Sequence, residues 1–238
     1  MNQPTAARAI LARTRTGDHI ERMKGLAVMG VTFESGHTLA LRAFEETSFG
    51  PGFAAVWMRE PNGDWHFLST NDPRQSCAKY MLPELADQVP VDVRWVDERT
   101  LHISIKAISF RWFIEFEDNR RTRWMTSAVS MIPGWALRTA PVSRLVAAVA
   151  SKGLRLGKLR LRGAVPNGQR YHGMPRRVWQ VARSTAWAGS YNFGEMVPVA
   201  TQSRFGDFWL PARPIAMAGE VDFVTPPGLE ARSLAFAA

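Results

Sequence analysis

Apolar and polar positions along the chain change period twice. From Thr38 the period is two: Leu39, Leu41 and Ala43 alternate with Ala40, Arg42 and Phe44, as in a half-buried strand. Two further runs, Ala55-Val56-Trp57-Met58-Arg59 and Trp65-His66-Phe67-Leu68, flank Pro61-Asn62-Gly63. Asn and Gly accept positive φ, so this spacing predicts a hairpin. Residues 91–96 and 100–106, parted by Asp97-Glu98-Arg99, predict a second one. Phe110, Trp112, Ile114 and Phe116 then share one strand face, with Arg111, Glu115 and Glu117 on the other.

Near Thr122 the period becomes 3.6. Trp124, Ala128, Met131 and Trp135 mark a short helix. A longer one begins at Thr139, a candidate N-cap, with Pro141 in the first turn, where the missing N–H costs nothing. Val142, Leu145, Val146, Val149 and Leu156 form its apolar face, and Ser143, Arg144, Ser151, Lys152 and Arg155 the polar one. Strand period resumes where Lys158, Arg160 and Arg162 alternate with Leu159, Leu161 and Gly163. A second turn, Pro166-Asn167-Gly168, and strands over 169–172, 176–184, 205–210 and 215–224 follow. The sequences flanking the two Pro-Asn-Gly turns barely match, which argues against an internal duplication.

These elements divide the chain into a basic, partly helical leader (1–35, helical over 6–13), one β domain (36–225) with a helical insertion at 122–156, and a loose tail (226–238). The expected fold is mainly β: many short antiparallel strands joined by tight turns point to a barrel or a sandwich. Over roughly 36–224, the element order and aromatic content resemble the calycin superfamily, meaning lipocalin-type barrels and the barrel enzymes of carotenoid hydration and polyketide cyclisation. That resemblance selects the antiparallel barrel and implies a cavity for a hydrophobic small molecule, and no functional residue is carried over from it.

Composition adds limits. Of 238 residues, 46% are hydrophobic, including 9 Trp and 13 Phe, enough for a sizeable core and incompatible with wholesale disorder. A single cysteine, Cys77, rules out an internal disulfide and fits a reducing compartment; with no activating pattern around it, it reads as a small buried or loop residue and not as a nucleophile. No run of 18 apolar residues is present, so the expectation is a cytoplasmic protein that can touch a membrane from outside.

Charge is distributed unevenly. From Asn119 to Gly194 there are 76 residues with 14 Lys or Arg and no Asp or Glu; the other 162 residues carry 16 basic and 21 acidic ones. All of the +9 net charge therefore lies in one stretch, which invites an anionic partner. On the strand 158–162 the cations are expected to pair across strands with Glu115 and Glu117. On the helix 141–155 no local acid is available, and ordinary solvated helices intersperse Glu with Lys. Arg144, Lys152 and Arg155 are thus the candidate contacts with an anionic membrane or an acidic carrier protein.

The chain has no HxxxH or CxxC spacing, no glycine-rich phosphate loop and no GxSxG, so neither a metal nor a cofactor is expected. Catalysis would fall to side-chain acids and bases in a dry cavity. Glu45 and Glu46 are adjacent, so in an unbroken strand one of them faces inward, and Glu46 is the candidate; Asp207 sits among aromatics, and Tyr171-His172 is a candidate proton-transfer pair. Trp57, Trp112 and Trp209 are the expected cavity walls, with Arg111 a candidate clamp for a substrate carboxylate. The leading expectation is a hydrophobic-ligand cavity that promotes a cofactor-independent cyclisation, isomerisation or hydration. The alternatives are a non-catalytic carrier with the same cavity and, from the pI near 10.5, a nucleic-acid-binding module. An inward, desolvated acid or histidine would favour the enzyme, and an apolar cavity the carrier.

Overall fold

The computed structural model describes residues 20–117 and 119–226; the helix expected over 6–13 and most of the expected tail lie outside them. Ile20–Phe33, placed by the sequence reading in the leader, is instead a 14-residue strand, β1, in the middle of the sheet. It pairs with β2 (Thr38–Thr47) on one side and with the last strand, β15 (Ile215–Val224), on the other. Beyond β2 run β3 (Phe53–Arg59), β4 (Trp65–Ser69) and the parallel edge strand β5 (Ala86–Gln88). Beyond β15 run β10 (Arg170–Ala188), β8 (Phe110–Glu117), β7 (Thr100–Ile105) and β6 (Asp92–Trp95). The result is a large, mostly antiparallel sheet curled into a half-barrel.

Both predicted hairpins form. In the first, Gly63 adopts φ +104° and its N–H donates to the Glu60 carbonyl at 3.0 Å. In the second, Asp97 Oδ1 accepts from the N–H groups of Arg99 and Thr100 at 2.7 and 2.8 Å.

Alternation splits the apolar residues of the sheet into two cores. Leu39, Leu41, Val56, Met58 and Leu68 belong to one, together with Leu101, Ile103, Trp112 and Ile114 from the far end of the strand order. This core is the filling around which the sheet curls. Ala40, Ala55, Trp57 and Phe67, the intervening residues, face the opposite side. There they are covered by the segment Cys77–Tyr80, by two of three helices, by Val165 just after the short strand β9 (Arg162–Ala164), and by β13 (Arg204–Phe205) and β14 (Phe208–Trp209).

The helices are α1 (Arg120–Ser130), α2 (Gly134–Leu137) and α3 (Ala140–Leu154), all between β8 and β9. Asn119 caps α1 reciprocally with Thr122: its Oδ1 accepts from Thr122 N–H at 2.9 Å, and Thr122 Oγ1 accepts from Asn119 N–H at 3.2 Å. Thr122, Met125 and Val129 face inward, and Val178 N–H of β10 donates to Thr126 Oγ1 at 3.1 Å. On α3 the buried residues are Ser143, Ala147 and Leu154. Leu145 and Val149, on the apolar face read from the sequence, are exposed, as are Trp124, Met131 and Trp135. The small side chains of Ser143 and Ala147 let α3 approach closely, and that turns its bulky residues outward.

Candidate functional site

On the second core's side, a cavity of about 110 Å³ lies between the sheet and the covering loops. Its floor is the stretch where β1, β15 and β10 run side by side, with Gly25 opposite Gly219 and Gly219 opposite Pro175. A side chain at Gly25 would collide with the Ala43 carbonyl, and one at Gly219 with the Met174 carbonyl. These two positions lack side chains because neighbouring backbone passes over them, and the space above stays open. At about 30 Å³ per water, the volume is room for roughly four waters or one small molecule.

The walls are mostly apolar, rich in methionine and aromatic residues, with Arg42 buried among them and Arg160 and Glu220 as the other charged lining residues. Arg42 stands on β2 between Ala40 and Phe44 on the same face, with Ala27 and Ala55 as cross-strand neighbours. Those alanines leave space for the long side chain to lie across the sheet, and its guanidinium carbon sits 4.2 Å from the Trp57 ring centroid and 5.6 Å from that of Phe208. Nη1 donates to the carbonyls of Leu41 (2.9 Å) and Val28 (3.3 Å). Nη2 is buried and has no partner, and no carboxylate pairs with this cation among the described residues. Burial lowers its pKa to about 10, so it stays charged at neutral pH. A buried, uncompensated cation is costly, and natural proteins rarely keep one without a counter-charge.

Cys77 faces Arg42 and Trp57; burial pushes its thiol up to about 11 against the opposing pull of both. Trp57 Nε1 has no hydrogen-bond partner of normal geometry, the neighbouring thiol being a weak acceptor. The cavity thus holds two buried donors without acceptors, Arg42 Nη2 and Trp57 Nε1, and both belong to residues in stacking contact.

A lid closes part of the mouth. Tyr171 Oη lies 3.1 Å from the carbonyls of both Arg160 and Asp207, and burial raises its pKa. Asp207 pairs with Arg160, and its Oδ2 accepts from Ala164 N–H at 3.0 Å. Trp209 lies at the rim under Lys158, whose Nζ is 4.7 Å from the ring, and Arg204 at 5.5 Å. Glu220, also at the rim, has Arg22 and Arg138 within 4.0 and 3.9 Å. The mouth is accordingly cationic.

The residues singled out in the sequence are dispersed. Trp57, Tyr171 and Trp209 line the cavity. Trp112 is in the other core, on the opposite side of the sheet, where its Nε1 donates to Ser184 Oγ at 2.7 Å. Glu46 is exposed and pairs with Lys24 at 3.0 Å. Neither Glu45 nor Glu46 points inward, because a bulge sets Lys24 opposite Glu46 and Gly25 opposite Phe44, leaving Glu45 unopposed and breaking the alternation. Asp207 is a turn residue of the lid. His172 follows Tyr171 on β10 and so faces away from it, opposite Asp222 and Arg162; burial, then Arg162, lowers its pKa. Arg111 is exposed beside Trp187, at 5.8 Å. Arg144, Lys152 and Arg155 are exposed on or at the end of α3. Arg160 takes its carboxylate from Asp207, not from Glu115 or Glu117. Among the described residues no group of three His, Cys, Asp or Glu is placed to hold a metal.

Sequence reasoning missed Arg42. The available signal was its neighbours two residues away: Ala40 and Phe44 are both apolar, so Arg42 stands between apolar residues on its strand face. Comparison with models of known protein families, with curated proteins and with solved structures finds no match for this chain.

Proposed function

We propose that this protein binds a hydrophobic small molecule carrying an anionic group, the apolar part among Trp57, Phe208 and the cavity methionines and the anion against Arg42. The observation that carries this reading is the unpaired Nη2 of a buried arginine in a cavity lined mostly by apolar side chains. A carboxylate there would supply the missing counter-charge and accept from the orphaned donors, the charge-assisted pairing for which a guanidinium is suited. The cationic rim would draw such a ligand in. A calycin-like relationship, suggested by element order, belongs to the same proposal, supported by the curl of the sheet.

Binding is better supported than turnover. Cyclisation, isomerisation or hydration needs a proton donor or acceptor near neutrality. The cavity presents a thiol pushed up to about 11, a phenol raised further by burial, and one carboxylate at the rim beside two arginines. A carrier or sensor of the ligand is thus favoured over the enzyme.

Calorimetric titration at neutral pH with short fatty acids and benzoate, against their methyl esters, tests the proposal. The acids should bind at least about tenfold tighter than the esters, and Arg42→Met should erase that difference. Equal affinity for acid and ester in the unaltered protein would refute it.

A further inference from the structure

Three consecutive helices and their caps carry the four most exposed large apolar residues of the described chain. Trp124 is 62% exposed, Met131 78%, Trp135 72% and Leu145 65%. Scattered apolar residues on a surface are ordinary, but these share one cap with exposed Arg120, Arg121, Arg144 and Lys152, and no helix of the cap contains an acid. On α1, Trp124, Ser127 and Met131 follow one outward line; on α3, Leu145, Ala148, Val149 and Lys152 follow another. The inward faces are already used, by Met125 and Val129 on α1 and by Ala147 and Leu154 on α3. The outward residues are therefore a second apolar face and not misplaced core.

From this arrangement we infer that α1–α3 form a docking surface for an anionic lipid bilayer. Trp124, Met131, Trp135 and Leu145 enter the boundary between headgroups and acyl chains, and the arginines and Lys152 meet lipid phosphates. Charge complementarity selects the partner: the cap is cationic throughout, and Arg144 and Lys152 have no carboxylate partner among the described residues. Tryptophan favours a lipid interface over a purely acidic protein surface, because its ring is apolar and its N–H seeks the polar headgroup layer. No helix among the described residues is long and apolar enough to cross a membrane, so the contact is peripheral. The inference stands apart from the cavity and does not need a ligand there.

Co-sedimentation of the full chain with vesicles of phosphatidylcholine alone, and of phosphatidylcholine with phosphatidylglycerol, is the test. Binding to the anionic vesicles should exceed binding to the neutral ones and weaken as salt rises. Both Trp124→Ser/Trp135→Ser and Arg144→Glu/Lys152→Glu should weaken it by about tenfold or more, with thermal unfolding unchanged because all four residues are exposed. Absence of binding to anionic vesicles at low salt overturns the inference, as does equal binding to neutral ones. Poly-glutamate serves as the control polyanion: if it binds as well, and the tryptophan variant loses neither interaction, the cap is a general polyanion surface and the lipid assignment falls. If the surface instead buries itself in a dimer that the tryptophan variant dissociates, the assignment also falls.

Discussion

Arg138, which ends α2, donates from Nε to Oδ2 of Asp222 on β15 at 3.2 Å. Arg22 of β1 holds the other oxygen, Nε to Oδ1 at 2.6 Å, so one buried carboxylate joins the helical cap to two central strands. Asp222→Ala should lower stability by about 1–3 kcal/mol in urea unfolding. The loss stays below that of a fully buried pair because both arginines keep partial access to water. A change indistinguishable from zero would show that the carboxylate does not tie the cap to the sheet.

Arg42 sits in the cavity at a cost in stability. Replacing it with methionine removes a buried charge and keeps much of the volume. The variant should be more stable than the parent by about 1–4 kcal/mol in the absence of ligand, while losing preference for anions. Stability gained and selectivity lost in the same variant is the signature of a functional residue. A destabilised Arg42→Met would mean that the two carbonyl hydrogen bonds from Nη1 dominate.

The Cys77 thiol should be inert in the folded protein. Thiols react as thiolates, and burial pushes this one up to about 11 from an ordinary value of 9.0. A disulfide reagent at pH 8 should label it only on unfolding. The folded state retains the proton more tightly than the unfolded one, so this contribution to stability is complete below pH 9 and is lost as pH rises toward 11. The loss amounts to about 3 kcal/mol. Denaturation midpoints across that interval, measured against Cys77→Ala, isolate the effect; parallel curves would refute it.

Glu46 and Asp207 should behave differently on substitution. Glu46→Gln removes only an exposed pairing with Lys24 and should change stability by less than about 0.5 kcal/mol and ligand affinity not at all. Asp207→Ala releases Arg160 and the Ala164 N–H together and should loosen the lid, weakening ligand binding more than it lowers the unfolding midpoint. A titration in which Glu46→Gln abolishes binding would return that residue to the site.

Much of the β architecture was legible because its strands are bounded by turns with their own chemistry, as at Pro61-Asn62-Gly63. β1 was not, because Val28, Met29, Gly30 and Val31 are all buried and Gly25 and Gly30 interrupt the run, so period two disappears from a strand covered on both sides. Trp57 and Trp209 were found as cavity residues by their size alone. Trp112 was misassigned for the same reason: aromatic bulk does not reveal which of two cores a strand face serves. The change of period near Thr122 marks the segment that carries the helices, but amphipathicity identifies an apolar face without saying whether it meets the protein or a partner. Arg42 was hidden by the default that a charged residue on a strand points to water.

The position of β1 also bears on how the chain is made. Ile20 is opposite Val224, so the strand that organises the sheet waits some 200 residues for the long neighbour on its second side. At cellular rates of synthesis that delay is about 10–40 s, during which β1 can pair with β2 alone and presents an open, largely apolar edge. Pairing over such a distance is slow even once the chain is complete. The same pairing that sets the cavity floor therefore leaves most of one edge of β1 open in the nascent protein until β15 arrives.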